Sequence, residues 1–163
     1  MVEVRQVTVN DLPEMLEIYN DIIANTTAVW HYEPHTLAMR KEWFDQRTQQ
    51  GFPIFAAIEN GKMLGFSSIG PFRPWIGYRY TVENSVYVAS DCRGKGVGKL
   101  LMEPLINASR ELNIHTIVAG IEAENEISIA LHKKFGFIEV AHFKEVGFKF
   151  GRWLDLKFLE LIL

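Results

Sequence analysis

Cysteine is nearly absent from this sequence. Cys92 stands alone among 163 residues, so no internal disulfide is available, and a single thiol suits a reducing compartment. A surplus of positive charge is missing too. Seventeen Lys and Arg face twenty Asp and Glu, for a net charge of −3, which gives no electrostatic footprint for nucleic acid or an anionic membrane. No apolar run approaches the roughly 20 residues that a membrane span requires. The opening Met1-Val-Glu-Val-Arg has neither a basic n-region nor an apolar h-region, so the expected location is the cytoplasm. Repeats, low-complexity tracts and linkers are likewise lacking. What remains is 48% apolar and 23% charged residues, the composition of an ordinary folded chain whose length suits one domain over residues 1–163.

Residues 2–9 alternate in polarity and predict a strand. Asp11 and Glu14 stand at capping-box spacing ahead of Leu12, Met15, Tyr19, Ile22 and Ile23, which predicts a helix over about 11–24. Thr36 is placed to cap a second helix that ends before Gly51. Asn60-Gly61 between two apolar runs predicts a hairpin with positive φ at both residues. Residues 79–89 read as a strand with Val82, Val86 and Val88 on one face and Thr81, Glu83, Ser85 and Tyr87 on the other. An amphipathic helix through Leu100, Leu101, Leu105, Ala108 and Leu112 follows, with Pro104 inside it expected to cost a hydrogen bond or kink it. A strand at 115–121, a helix from Asn125 to Phe135 ended by Gly136, and strands at about 137–147 and 152–162 complete the chain. The order β-α-α-β-β-β-α-β-α-β-β predicts an α/β fold with a mixed central sheet and helices on both faces.

The segment Cys92-Arg93-Gly94-Lys95-Gly96-Val97-Gly98 lies between a strand and a helix. Its glycines let the backbone turn tightly and direct N–H groups outward at a helix N-terminus, a place suited to phosphate. Arg93, Lys95 and Lys99 add positive charge. A Walker A loop needs Ser or Thr after its lysine, and Lys99 is followed by Leu100. A dinucleotide loop needs a third glycine three positions on, where Leu101 stands after Gly98, and it belongs in an early βαβ unit. Cys92, next to Arg93 and a helix N-terminus, is a candidate for a lowered thiol pKa, although no histidine is tied to it by sequence. His31 and His35 are four apart, but Pro34 between them makes a shared helical metal face improbable.

Arg-Gly-x-Gly-x-Gly after an apolar strand is similar to the pyrophosphate loop of the GNAT N-acetyltransferases. Asn125 followed by Ser128-Ile-Ala-Leu-His-Lys-Lys-Phe-Gly-Phe resembles their second motif. The run from Tyr78 to Val88, the pair Leu131-His132 and the run from Val146 to Asp155 look like the phosphinothricin and methionine sulfoximine acetyltransferase group. The resemblance implies a GNAT fold and acetyl-CoA as cofactor, held by Val86, Val88, Arg93, Gly94, Lys95, Gly96, Val97, Gly98, Lys99, Asn125 and Ser128. It implies Glu83 as general base, and an acid or positioning role for His132 where many relatives carry tyrosine. Arg73 and Arg79 are the candidate partners of a substrate carboxylate, with Arg73 the better placed. Trp30, Phe72, Trp75 and Tyr78 are candidate walls of a small-molecule pocket. The implied reaction is acetyl transfer to the α-amine of a small amino acid, in a cytoplasmic homodimer without metal. A peptide or protein acetyltransferase and a non-catalytic CoA-binding module stand as alternatives.

Overall fold

The computed structural model describes residues 1–163. Seven strands, β1 (Glu3–Gln6), β2 (Ile54–Glu59), β3 (Lys62–Pro71), β4 (Thr81–Val88), β5 (Thr116–Glu122), β6 (Ile138–Lys149) and β7 (Arg152–Ile162), form one sheet in the order β1-β2-β3-β4-β5-β7-β6. Every neighbouring pair is antiparallel except β4 with β5. The helices are α1 (Leu12–Asn25), α2 (Leu37–Gln49), α3 (Val97–Glu111) and α4 (Glu126–Lys134). The chain order of these elements is the one expected from periodicity.

Alternation along β3 and β4 assigns the two faces. Ser67 Oγ donates to the Leu101 carbonyl of α3, and Asn84 lies against Met102 of α3, so these side chains face α3. Their neighbours face the other way, where Tyr87 meets Tyr19 of α1 edge-on at 5.5 Å. α3 and α4 therefore cover one face, and α1 and α2 the other. Val82 and Glu83 fall on opposite faces as the alternation predicts, with Asn84 joining the valine side. The buried cores on the two sides are built around Leu12, Met15, Ile23 and Phe66, and around Ile69, Met102, Leu105 and Ile117.

Several local expectations hold in detail. Thr36 Oγ1 accepts from the Met39 N–H, and Asn60 and Gly61 have φ of 51° and 77°. One needs correction. The Asp11–Glu14 capping box is not formed. Asp11 instead takes the Thr8 N–H at 2.7 Å and a two-pronged bond from Arg5, which ends β1 early and starts a 3-10 turn at Val9. Glu14 reaches across to the Met63 N–H at 2.7 Å. As expected, α3 runs through Pro104 to Glu111, with Leu101, Met102 and Leu105 fully buried around the proline. Packing there outweighs one missing backbone bond.

Candidate active site

β4 and β5 pair only over Thr81–Glu83 and Thr116–Val118. Beyond that point β4 stays with β3 and β5 with β7, so the sheet splits into a wedge. The Ala89 N–H donates to the Leu64 carbonyl. Ladder alternation then directs the N–H groups of Val86 and Val88 to the other edge, into the wedge. These are donors fixed in a cleft, the arrangement that stabilises an oxygen gaining negative charge.

The glycine loop lies where β4 runs into α3. Gly94 and Gly96 have φ of 74° and 81°, and an added Cβ on either would meet nothing within 4 Å. Backbone conformation, not crowding, demands glycine at both positions. No backbone N–H from residue 93 to 96 donates within the chain, and the first turn of the fifteen-residue α3 adds its own free N–H groups and dipole. The loop thus presents donors to an anion. Its cations contribute less: Lys95 Nζ folds back onto the Asp91 carbonyl at 2.8 Å, and Arg93 Nε reaches the Val88 carbonyl at 3.4 Å. An added Cβ on Gly98 would lie 3.0 Å from Leu131 Cδ2. The third glycine therefore lets α4, which Asn125 caps, come close to the start of α3. Asn125 Oδ1 accepts from the Ser128 N–H as the α4 cap, leaving its Nδ2 to donate outward. Wedge, loop and Asn125 together fit the carbonyl, diphosphate and amide of acetyl-CoA.

Cys92 departs from expectation. The thiol is buried, and burial together with Asp91 pushes its pKa up, not down. A buried thiol of this kind suits the structural role that the lack of a partner histidine already favoured.

Glu83 projects from the last paired position of β4, on the α1–α2 side. It lines a cavity of about 440 Å³ walled by α1, α2 and the β3–β4 ladder. Burial lifts its carboxyl above the ordinary range, and the Arg73 guanidinium pulls it back down. Across the wedge stands Gly120 of β5, where an added Cβ would lie 3.0 Å from Glu83 Oε1 and 3.3 Å from Phe158 Cε1. The absence of a side chain at Gly120 keeps Glu83 open. We expect Gly120→Val to fill this space and lower kcat/KM for the amine by about 10²-fold with little loss of folding stability, as the loss of a near-attack geometry would. Steady-state kinetics and a melting curve read both quantities.

The remaining expected residues divide. Phe72 lies edge-on to Phe158 at 6.3 Å and to Tyr78 at 5.6 Å, and Arg73 stacks over Phe72 at 4.2 Å. This aromatic wall continues through Phe158 to Phe143 at 5.7 Å; it stands on the Gly120 side of Glu83, outside the residues that line the cavity. Trp75 is 67% exposed at the rim of the wall. Arg79 is turned onto the Tyr80 ring and is a solvated strand end. Trp30 is corrected: its indole lies against Gly147 and donates to the Thr27 carbonyl, packing a loop onto β6 outside the residues that line the cavity.

His132 is 4% exposed, on the opposite face of the sheet from Glu83. Its Nδ1 lies 2.7 Å from the Ser128 carbonyl and its Nε2 3.0 Å from Asn84 Nδ2. The first contact requires Nδ1–H to donate, which leaves Nε2 as the acceptor. Burial lowers its pKa, so the ring is neutral near pH 7.

A sheet split between its only parallel strands, with a turn suited to phosphate at the split and a half-buried carboxylate on the far side, defines an acyl-CoA-dependent acyltransferase. The acetyltransferase (GNAT) domain matches residues 4–157, and the chain belongs to that family, with acetyl-CoA as its cofactor. It is 49% identical to an L-methionine sulfoximine/L-methionine sulfone acetyltransferase of Pseudomonas aeruginosa, over 97% of this chain and 92% of the relative. A phosphinothricin acetyltransferase of Sinorhizobium meliloti, solved with acetyl-CoA, superposes with a TM-score of 0.97 at 33% identity, covering 99% of this chain and 88% of that one. A ribosomal-protein-alanine N-acetyltransferase from Brucella melitensis superposes with a TM-score of 0.97 at 48% identity, covering 99% of both. No helix is long and apolar enough to cross a membrane.

Proposed function

We propose that residues 1–163 act as one domain that transfers the acetyl group of acetyl-CoA to the α-amine of a small amino acid of the methionine sulfone, methionine sulfoximine or phosphinothricin type. The observation that carries this is the 440 Å³ cavity around Glu83, roofed by α2, which suits a compact amine better than a chain entering along a groove. Acetyl-CoA supplies an acyl thioester. Glu83, directly or through a water, takes a proton from the amine; the amine nitrogen bonds to the acyl carbon and the carbon–sulfur bond breaks. The N–H groups of Val86 and Val88 hold the acyl oxygen as it gains charge, and the departing thiolate takes a proton. Arg73 pairs with the substrate carboxylate. His132, neutral and bonded at both nitrogens, positions β4 against α4 and so acts on the reaction through Asn84.

The β6–β7 hairpin leaves Val146, Phe150 and Trp153 more than half exposed. We propose that this face pairs two copies of the chain in a homodimer. The peptide reading has one observation in its favour, the Brucella neighbour's name. Thiol release from acetyl-CoA with methionine sulfone, methionine sulfoximine, phosphinothricin and an alanine-ended peptide separates the two. We expect turnover of the small amines and none of the peptide; turnover of the peptide alone reverses the conclusion.

A further inference from the structure

Two arginines of α2 face the same cavity without a carboxylate. Arg40 is 3% exposed, its guanidinium between the rings of Tyr19 at 3.9 Å and Trp43 at 4.8 Å. Its Nη2 lies 3.2 Å from His35 Nδ1, and its Nε is buried without a partner. Arg47 has one long bond, to Gln50 Oε1 at 3.3 Å, and a second buried Nε without a partner. Neither takes part in any ion pair of the chain. A guanidinium stays charged at every accessible pH and offers five donors. Buried cations are ordinarily paired or hydrogen-bonded, so one buried and one half-buried guanidinium with open donors on one cavity wall mark a place for oxygen acceptors from outside the chain.

The functional reading gives Arg73 to the substrate carboxylate, which leaves the α2 pair for the other oxygens of the substrate. Arg40 lies at the Tyr19 end of the cavity, and Arg47 lies over Gly70, the cross-strand partner of Glu83. Gly70 of β3 makes the room: an added Cβ there would lie 2.5 Å from Arg47 Cζ, so the guanidinium lies flat on bare backbone. We propose that Arg40 and Arg47 form a specificity subsite for the oxygens of a tetrahedral sulfur or phosphorus group at the far end of the amino-acid side chain. This rests on the functional reading above and adds the residues that select the substrate's distal group.

Methionine sulfone and methionine differ only in two oxygens on sulfur, and binding of each to the CoA-loaded protein is measured by calorimetry. Wild type binds the sulfone more tightly. Arg47→Gln weakens sulfone binding roughly 10- to 100-fold, the value of charge-assisted hydrogen bonds, and leaves methionine unchanged. Gly70→Ala does the same by pushing the Arg47 guanidinium aside, without touching a charge. Arg40→Met tests the buried partner but empties the space between two rings, so melting curves accompany it and the other two variants carry the result. Equal loss for sulfone and methionine assigns the pair to the α-carboxylate and overturns the proposal. So does a wild type that turns over small amines without preferring the sulfone, while the functional reading stands. A wild type that turns over no small amine overturns both.

Discussion

Glu83→Gln lowers kcat by roughly 10²- to 10⁴-fold, the usual contribution of a positioned general base, and leaves acetyl-CoA affinity intact. The amide has the same shape, so the close approach to Gly120 and the aromatic wall survive; only the capacity to take a proton is lost. The pH profile checks the cause. Glu83 acts when ionised, and burial raises its pKa. The acid limb of kcat/KM therefore lies above the ordinary carboxylate range, and activity increases as pH rises through it. Arg73 lowers that pKa, so Arg73→Gln moves the limb to still higher pH, besides raising KM for an amine bearing a carboxylate. Glu83→Gln abolishes the limb. Unchanged kcat in Glu83→Gln, with CoA still bound, would falsify the base assignment, whereas CoA binding without any turnover in the wild type would favour a non-catalytic module.

How much of this could be read before folding depends on how far apart the cooperating residues lie in the chain. The glycine loop, the Thr36 and Asn125 caps and the two faces of β4 were legible because each is dictated by neighbours within a turn or a strand. Glu83 fell on the correct face through a period of two and nothing more. Gly120 gave no signal. One glycine inside an apolar strand is ordinary, and its role arises only when β5 is laid parallel to β4 and then parts from it. Phe158 reaches the same point because β7 pairs with β5 in the register Gly120↔Phe158. α2 was legible as a helix, but with one buried residue, Arg40, it has no apolar stripe to show which side faces the protein. Arginine is read as solvated by default, so the cavity's cationic wall was invisible. Trp30 illustrates the reverse error: a large aromatic on a loop looks like a pocket wall, yet it lies on Gly147, more than a hundred residues later.

Lys149→Met has the largest expected effect on stability, on the order of 3 kcal/mol. Lys149 is the last residue of β6 and is 3% exposed, yet no carboxylate meets it. Its Nζ donates to the carbonyls of Ile23, Thr26 and Val29 at 2.6, 2.7 and 2.7 Å, using all three of its protons. These carbonyls belong to the end of α1 and the loop beyond it, where the helix leaves acceptors unpaired and its dipole is negative. Burial lowers the Lys149 pKa, so the site is held by convergent acceptors and not by a charge partner. Methionine matches the stem but leaves three acceptors bare, each costing about 1–3 kcal/mol where water does not reach, partly offset by removing a buried charge. For a chain of this size the loss lowers Tm by roughly 6–12 °C. Lys149→Arg does not restore it, because a planar fork cannot direct three protons to one tetrahedral cluster. The loop so released also carries His31 and His35, whose rings line the Glu83 cavity, and the Tyr32 hydroxyl that donates to the Phe148 carbonyl. In Lys149→Met protein assayed below its melting range, KM for the amine therefore rises while the affinity for acetyl-CoA, set on the far side of the wedge, stays at the wild-type value. A melting curve with no downward shift would show that the three carbonyls find other donors, and that the loop is held instead by Trp30 on Gly147.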